Sequence, residues 1–198
     1  NNVINTGNFK PILMVGFNRR FSPLIINAKD FIKFKKGPKS IIMTINSGSI
    51  PSDHWTQKIL LGGGRLIGEG CHFIDLARFI IDSPIANQNI FSMRSHTNDT
   101  ISISLSFEDG SIASINYFSN GNKAIVKERI EIFASNSIIQ INNFKSLKIF
   151  DYGVRKNKNL WTQDKGQNAC VKAFTKSIEN NLVSPIPIEE IFEVQYNL

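Results

Sequence analysis

Arg65, Glu69, His72 and Asp75 fall four, three and three residues apart, a spacing that sets all four ionisable groups on one face of a helix. A histidine beside a carboxylate can take a hydroxyl proton near neutral pH, while the carboxylate orients the ring and stabilises its charged form. The same spacing also suits a structural histidine among surface ion pairs. Just before this helix, Gly62-Gly63-Gly64 could bring backbone amides close to an anion. The spacing fits neither a dinucleotide fingerprint nor a P-loop, so the glycines read as a tight loop that brings the helix start to a pocket wall.

Cys71, His72 and His54 with a carboxylate would be the raw material of a zinc site. Adjacent residues on a helix point about 100° apart, so Cys71 and His72 cannot both reach one ion without distortion, and no metal is expected. Cys71 as a nucleophile is also disfavoured, because it adjoins the apolar stripe and reads as packing.

The elements that must carry these residues follow from hydrophobic period. Ile12 to Phe17 is a short, nearly all-apolar run, the pattern of a strand buried on both faces. Ser22 and Pro23 then offer an N-cap and a first-turn proline to a helix that Gly37-Pro38 stops. Ser40 to Asn46 reads as a strand, and the stretch with Pro51, Asp53, His54 and Trp55 as a shaped loop. Arg65 to Ile81 is a helix whose buried stripe is Leu66, Gly70, Phe73, Ile74, Ala77 and Ile81. Beyond it the period becomes two: Ile101, Ile103, Leu105 and Phe107 alternate with serines, and Glu108-Asp109-Gly110 turns the chain into Ser111 to Ser119. Arg129 to Ala134, Ile138 to Ile141 and Ser146 to Phe150 add short strands between Ser135-Asn136 and Asn142-Asn143 turns. A helix over Gln163 to Asn180 buries Ala169, Ala173, Phe174 and Ile178, and a short helix starts at Ile188.

At 198 residues and 41% hydrophobic content the chain suits one domain with a real core. No apolar run approaches the roughly 18 residues of a membrane span, and Asn1 to Lys10 is polar, so the reading is soluble and unexported. Two distant cysteines give no disulfide framework and suit a reducing, cytoplasmic setting. The net charge of +7 gathers at Lys33, Lys35, Lys36 and Lys39 and at Arg155, Lys156 and Lys158; these clusters are short loop edges, and no nucleic-acid partner is expected.

VGFNRRFSPL (Val15 to Leu24), IPSDHW (Ile50 to Trp55) and GGGRLIGEGCHFIDLARF (Gly62 to Phe79) together resemble the Gfo/Idh/MocA oxidoreductases. FEDGSIASINYFSNG (Phe107 to Gly121), KERIEIF (Lys127 to Phe133) and W-x-x-D-K-G (Trp161 to Gly166) extend the likeness over nearly the whole chain after Lys10. Within the family the likeness is greatest to bi-domain proteins in which a zinc-type alcohol-dehydrogenase-like region comes first.

The resemblance implies an α+β domain: an open, mainly antiparallel sheet of about six strands with helices packed on one face, of the glyceraldehyde-3-phosphate-dehydrogenase-like kind. Residues 1–17 would be the remnant of a Rossmann domain ending in the Ile12 to Phe17 strand, and residues 18–198 the substrate-binding and oligomerisation domain. NAD or NADP would be held mainly by the missing domain, with Asn18, Arg19 and Arg20 at the crossing near the nicotinamide. A sugar or sugar-nucleotide alcohol would be the substrate, lined by His54, Trp55 and Asp75, and the open sheet face would join copies of the chain into a homo-oligomer. The family's helix motif, G-G-x-x-x-D-x-x-x-H, places its histidine at His72 and its aspartate at Gly68, so the catalytic pair here is His72 with Glu69 as the displaced acid. The family's glycine-rich fingerprint and E-K-P motif have no counterpart. A non-catalytic sugar-binding or dimerisation module therefore stands as the alternative.

Overall fold

The computed structural model describes residues 12–58, 60, 63–95 and 97–197. Residues 1–11, most of the expected Rossmann remnant, lie outside them, as does Gly62 of the glycine triplet.

The run from Ile12 to Phe17 forms no strand. A strand buried on both faces needs neighbours for its backbone hydrogen bonds, and among the described residues no strand runs beside it. Leu13 and Val15 are exposed, and only Phe17 of the run is buried. A 3-10 turn at Asn18–Phe21 follows and leads into helix α1, Pro23–Ile32, with its proline in the first turn. Ser22 precedes α1 as expected but does not cap it: its hydroxyl donates to the Asp164 carbonyl at 2.8 Å. The helix buries Leu24, Ile25, Ala28 and Ile32.

Eight strands form one mixed sheet: β1 Lys39–Asn46, β2 Ile85–Ser92, β3 Ile101–Phe107, β4 Ile112–Phe118, β5 Glu128–Ala134, β6 Ser137–Asn142, β7 Ser146–Asp151 and β8 Val154–Asn159. Their order is β2-β3-β4-β1-β5-β6-β7-β8, and β1 runs parallel to β4 while every other pairing is antiparallel. The expected six strands become eight because both edges escape a reading of hydrophobic period. β2 (IANQNIFS) is largely exposed and β8 (VRKNKN) is exposed throughout, so pairing with an inner neighbour holds them rather than burial. Amides on one edge and lysines on the other also blunt the sheet against pairing with another chain.

From β5 to β8 the strands are joined by two-residue turns at Ser135-Asn136 and Tyr152-Gly153 and by a three-residue turn, Asn143 to Lys145; the first two residues of each have positive φ. That is the hairpin geometry whose twist matches the flanking strands, and asparagine or glycine tolerates it. The second turn falls one residue later than the expected Asn142-Asn143, which puts the buried Phe144 into a left-handed conformation at φ 50°.

Helix α2, Cys71–Ile81, follows a wider π turn at Leu66–Gly70 and lies over β1 and β4. Ile41, Met43, Ile45, Ile103, Ala113, Ile115, Ile130 and Ile132 point from the sheet toward α1 and α2 and form the core with Phe73, Ile74, Leu76 and Ile80. The serines of β3 lie on the other, uncovered face. Helix α3, Gln167–Glu179, buries Cys170 and Ser177 with Ala173 and Phe174 half-buried, while Ala169 and Ile178 are exposed. The expected stripe is thus rotated by about one residue, because the buried Gly166 fixes how the helix start meets the Asn18–Phe21 turn. Helix α4, Ile188–Tyr196, closes the chain and packs on α2.

Candidate functional site

The π turn decides how the four ionisable groups of the helix are presented. One extra residue per turn breaks the simple helical register between Arg65 and His72, a device found often at functional sites. Arg65 and Asp75 are buried, whereas Glu69 and His72 remain partly exposed. The four therefore do not share one open face.

His72 stands with its ring edge-on to Phe17, centroids 5.8 Å apart, and its Nδ1 is buried without a hydrogen-bond partner. Burial, and then the Arg19 guanidinium, push its pKa down to about 4, so the ring is a neutral imidazole across the physiological range. Glu69 does not orient it by a hydrogen bond. The Glu69 carboxylate accepts instead from Lys127 Nζ at 3.1 Å and lies 3.9 Å from Arg65. Burial would raise the Glu69 carboxyl, but Lys127 overcomes that and holds it below its usual range.

Around this pair the charged groups are mutually engaged. Glu128, at an inward-facing slot of β5, receives Arg19 at 2.8 Å on one oxygen and Lys165 at 2.8 Å on the other. Burial alone would raise its carboxyl; the two cations hold it down. Arg65 donates to the Gly48 carbonyl at 2.8 Å and to Asp99 at 3.2 Å. Asp99 also accepts from Ser119 at 2.6 Å, from Thr97, and from Gln57 at 3.0 Å; against the cost of burial these donors lower its pKa to about 2. Tyr117, fully buried on β4, lies under the Arg65 guanidinium at 5.2 Å, and burial pushes its hydroxyl above its ordinary range.

The predicted lining residues fall in two places. His54 and Trp55 are exposed at the 3-10 turn Trp55–Gln57, with His54 Nδ1 2.8 Å from the Thr56 hydroxyl. Gln57 ties that turn to Asp99 and so to the start of the helix. Asp75 is fully buried and taken up by Arg20 through two hydrogen bonds, with Glu190 on the far side of the guanidinium at 2.8 Å. Burial pushes the Asp75 carboxyl up to about 6 against the pull of Arg20, so the pair is ionic at neutral pH. Asn18 donates to the Lys165 carbonyl at 2.7 Å, and Arg19 to Glu128.

Asn18, Arg19 and Arg20 are thus turned into the protein. The basic side chains nearest His72 among the described residues are held by carboxylates. Among the described residues no cluster of three or more His, Cys, Asp or Glu could hold a metal, and no helix is long and apolar enough to cross a membrane. Burial raises the Cys71 thiol to about 11, which fits a packed side chain.

Reading the sequence for period missed Tyr117, Lys127, Glu128, Asp99 and Lys165. Two left a signal. Glu128 and Tyr117 occupy inward slots of otherwise apolar alternations, Glu128-Ile130-Ile132 and Ala113-Ile115-Tyr117, where a polar group needs a partner. The other three reach the site from loops, where period is silent. Three concavities are evident elsewhere: one of about 350 Å³ between the ends of α1 and α2, near Lys29 and Phe79, and two of about 540 and 470 Å³ against the sheet, near Ile42 and Ile112 and near Phe91 and Phe118. None of the three includes His72, which is half-buried on α2 against Phe17.

A search of curated proteins finds no match. Solved structures share the fold at low identity. A dehydrogenase from Clostridium difficile is 23% identical with a TM-score of 0.75, covered over 93% of this chain and 59% of its own. An aldose-aldose oxidoreductase from Caulobacter crescentus, complexed with glycerol, is 16% identical with a TM-score of 0.77 over the same shares. A protein of gentamicin A biosynthesis, in complex with NAD, is 13% identical with a TM-score of 0.73, over 92% of this chain and 58% of its own. The chain thus spans less than two thirds of the length of these structures. The profile of the GFO/IDH/MocA C-terminal domain matches residues 38–140, from the start of the sheet into β6. On that match over half of its length, the chain belongs to the GFO/IDH/MocA family and carries that family's C-terminal domain.

Proposed function

We propose that this chain is the substrate-binding region of an oxidoreductase that moves hydride between a sugar-like alcohol and NAD or NADP, the nucleotide being held by a part of the enzyme outside these residues. The observation that carries the reading is His72: a half-buried neutral imidazole, its inner nitrogen unpartnered, about one helical turn from the part-exposed Glu69 carboxylate. A neutral ring can accept the proton of a substrate hydroxyl on its outer nitrogen as hydride leaves the carbon, and return it in the reverse direction. Arg19, Arg20 and Asp75 position rather than touch substrate, since their buried ion pairs fix the turn and helix that carry Phe17 and His72. His54 and Trp55 form the outer wall.

Replacing His72 with alanine in the full-length protein should lower turnover at least ~100-fold, the usual worth of an acid/base group. Near-normal turnover would remove His72 from the reaction.

The uncovered sheet face supports a second part of the reading. Ile42, Ile112 and Phe91 are exposed there beside the serines of β3, and a self-complementary copy of the same face is its proposed cover. Light scattering should give twice the chain mass, and Ile112→Lys should return it to the mass of one chain.

A further inference from the structure

The charged groups around His72 differ in how fully their hydrogen-bonding capacity is taken up. Arg65, Asp99, Arg19 and Glu128 are buried and hold one another through multiple contacts. The Lys127–Glu69 pair is different. Its two side chains are 39% and 33% exposed, and the one hydrogen bond between them leaves donors on the ammonium and lone pairs on the carboxylate facing solvent. Against the pair lies the buried Tyr117 hydroxyl, and one turn along the helix stands His72.

A cation and a carboxylate at hydrogen-bond distance present a donor and an acceptor side by side. Two hydroxyls on adjacent carbons present the complementary pattern: one accepts from the ammonium while its neighbour donates to the carboxylate. We infer that Lys127 and Glu69 clamp a vicinal diol of the substrate, which fixes which hydroxyl is delivered to His72. The inference rests on the reading of His72 as a sugar site and adds to it the requirement for two adjacent hydroxyls. It also assigns Glu69 to substrate binding through Lys127 in place of orienting the histidine. Because both partners of an open ion pair remain hydrated, the clamp adds selectivity between sugars more than folding stability.

The test uses the chain itself, with the His72 ring resonances as reporter. Methyl α-D-glucopyranoside carries hydroxyls on adjacent ring carbons, whereas its 3-deoxy form keeps those on carbons 2, 4 and 6, no two of them on adjacent carbons. The glucoside should shift the His72 resonances, and the 3-deoxy sugar should bind at least ~10-fold more weakly. Lys127→Met should weaken the glucoside by the same factor and leave the 3-deoxy sugar unchanged, and Lys127→Arg should restore most of the preference. Equal weakening of both sugars by Lys127→Met, or no weakening while His72 still responds, overturns the clamp and leaves the sugar site standing. If neither sugar moves the His72 resonances in the unaltered chain, both the clamp and the sugar site fall. Amide spectra of the variants separate loss of binding from loss of fold.

Discussion

Arg20 and Asp75 meet inside the protein through a forked contact, Nε on one carboxylate oxygen at 3.1 Å and Nη2 on the other, with the Phe79 ring 5.0 Å from the guanidinium. The pair joins the 3-10 turn after Phe17 to the middle of α2, and Glu190 extends it to α4. Removing the Asp75 carboxylate leaves the buried guanidinium with Glu190 alone, in a medium that solvates it poorly. Asp75→Ala should therefore cost about 3–5 kcal/mol in urea denaturation, while the double replacement Arg20→Met with Asp75→Leu recovers most of that loss. A single substitution costing under about 1 kcal/mol would show that water reaches the pair.

His72 makes folding sensitive to acid. Its pKa is about 4 in the folded chain against an ordinary value of 6.5, so the unfolded chain binds the proton first. The resulting stabilisation is whole above about pH 6.5 and is lost as pH falls toward 4, up to ~3 kcal/mol in all. Comparing unfolding free energies at pH 7 and pH 4.5 for the unaltered chain and for His72→Gln should show the acid loss reduced in the variant. An unchanged acid limb would mean the ring is not buried in its neutral form.

Asp99 acts in a lower window. Its pKa of about 2 lies under the ordinary 3.8, so its contribution is complete above about pH 4 and disappears as pH falls through 2. Asp99→Asn should flatten stability between pH 4 and 2, and should loosen the Trp55 turn, whose link to the helix start is Gln57 on Asp99. Trp55 fluorescence, with Trp161 replaced by phenylalanine, reads that loosening.

Gly166 has φ +84°, and a methyl group there would stand 2.4 Å from the Asn18 carbonyl oxygen and 2.5 Å from the Ser22 nitrogen. Gly153 has nearly the same φ, +79°, with nothing within 4 Å of that position. Both alanine replacements carry the left-handed penalty of about 1 kcal/mol, and only Gly166→Ala must also push two segments apart. Gly166→Ala should be the more damaging by at least ~2 kcal/mol in thermal unfolding. Equal effects would show that backbone conformation alone matters at both turns.

Cys71, raised to about 11 from 9, should react with a disulfide reagent at pH 8 about 100-fold more slowly than in urea, as its thiolate fraction dictates. Peptide mapping after brief labelling distinguishes it from Cys170. Rapid labelling of Cys71 in the folded chain would contradict its packing against the core.

The inner strands were legible because burial imposes a period of two on them: β3, β4 and β5 each alternate along their length. So was the helix bearing His72, from its apolar stripe. The edges β2 and β8 were not, since an edge strand is held by backbone pairing and carries no required pattern. Nor was the π turn, which no spacing of side chains announces and which lies between Arg65 and His72. At the site itself, His72 and Glu69 stood out by type and spacing, whereas Lys127, Asp99 and Lys165 arrive from segments distant in sequence. The apolar run at Ile12 to Phe17 misled for a related reason: composition permits a strand, but only a neighbour makes one.

β1 lies in the middle of the sheet, with Ser40 paired to Ile112 on one side and Lys39 to Ala134 on the other. During synthesis it leaves the ribosome long before either neighbour exists, so KSIIMTIN must wait, apolar and unpaired, for β4 and β5 to be made. Pairings this distant along the chain slow folding and leave the waiting segment open to association with other nascent chains. The seat of the central strand is thus also the point where newborn copies of this chain are most open to holding by a chaperone.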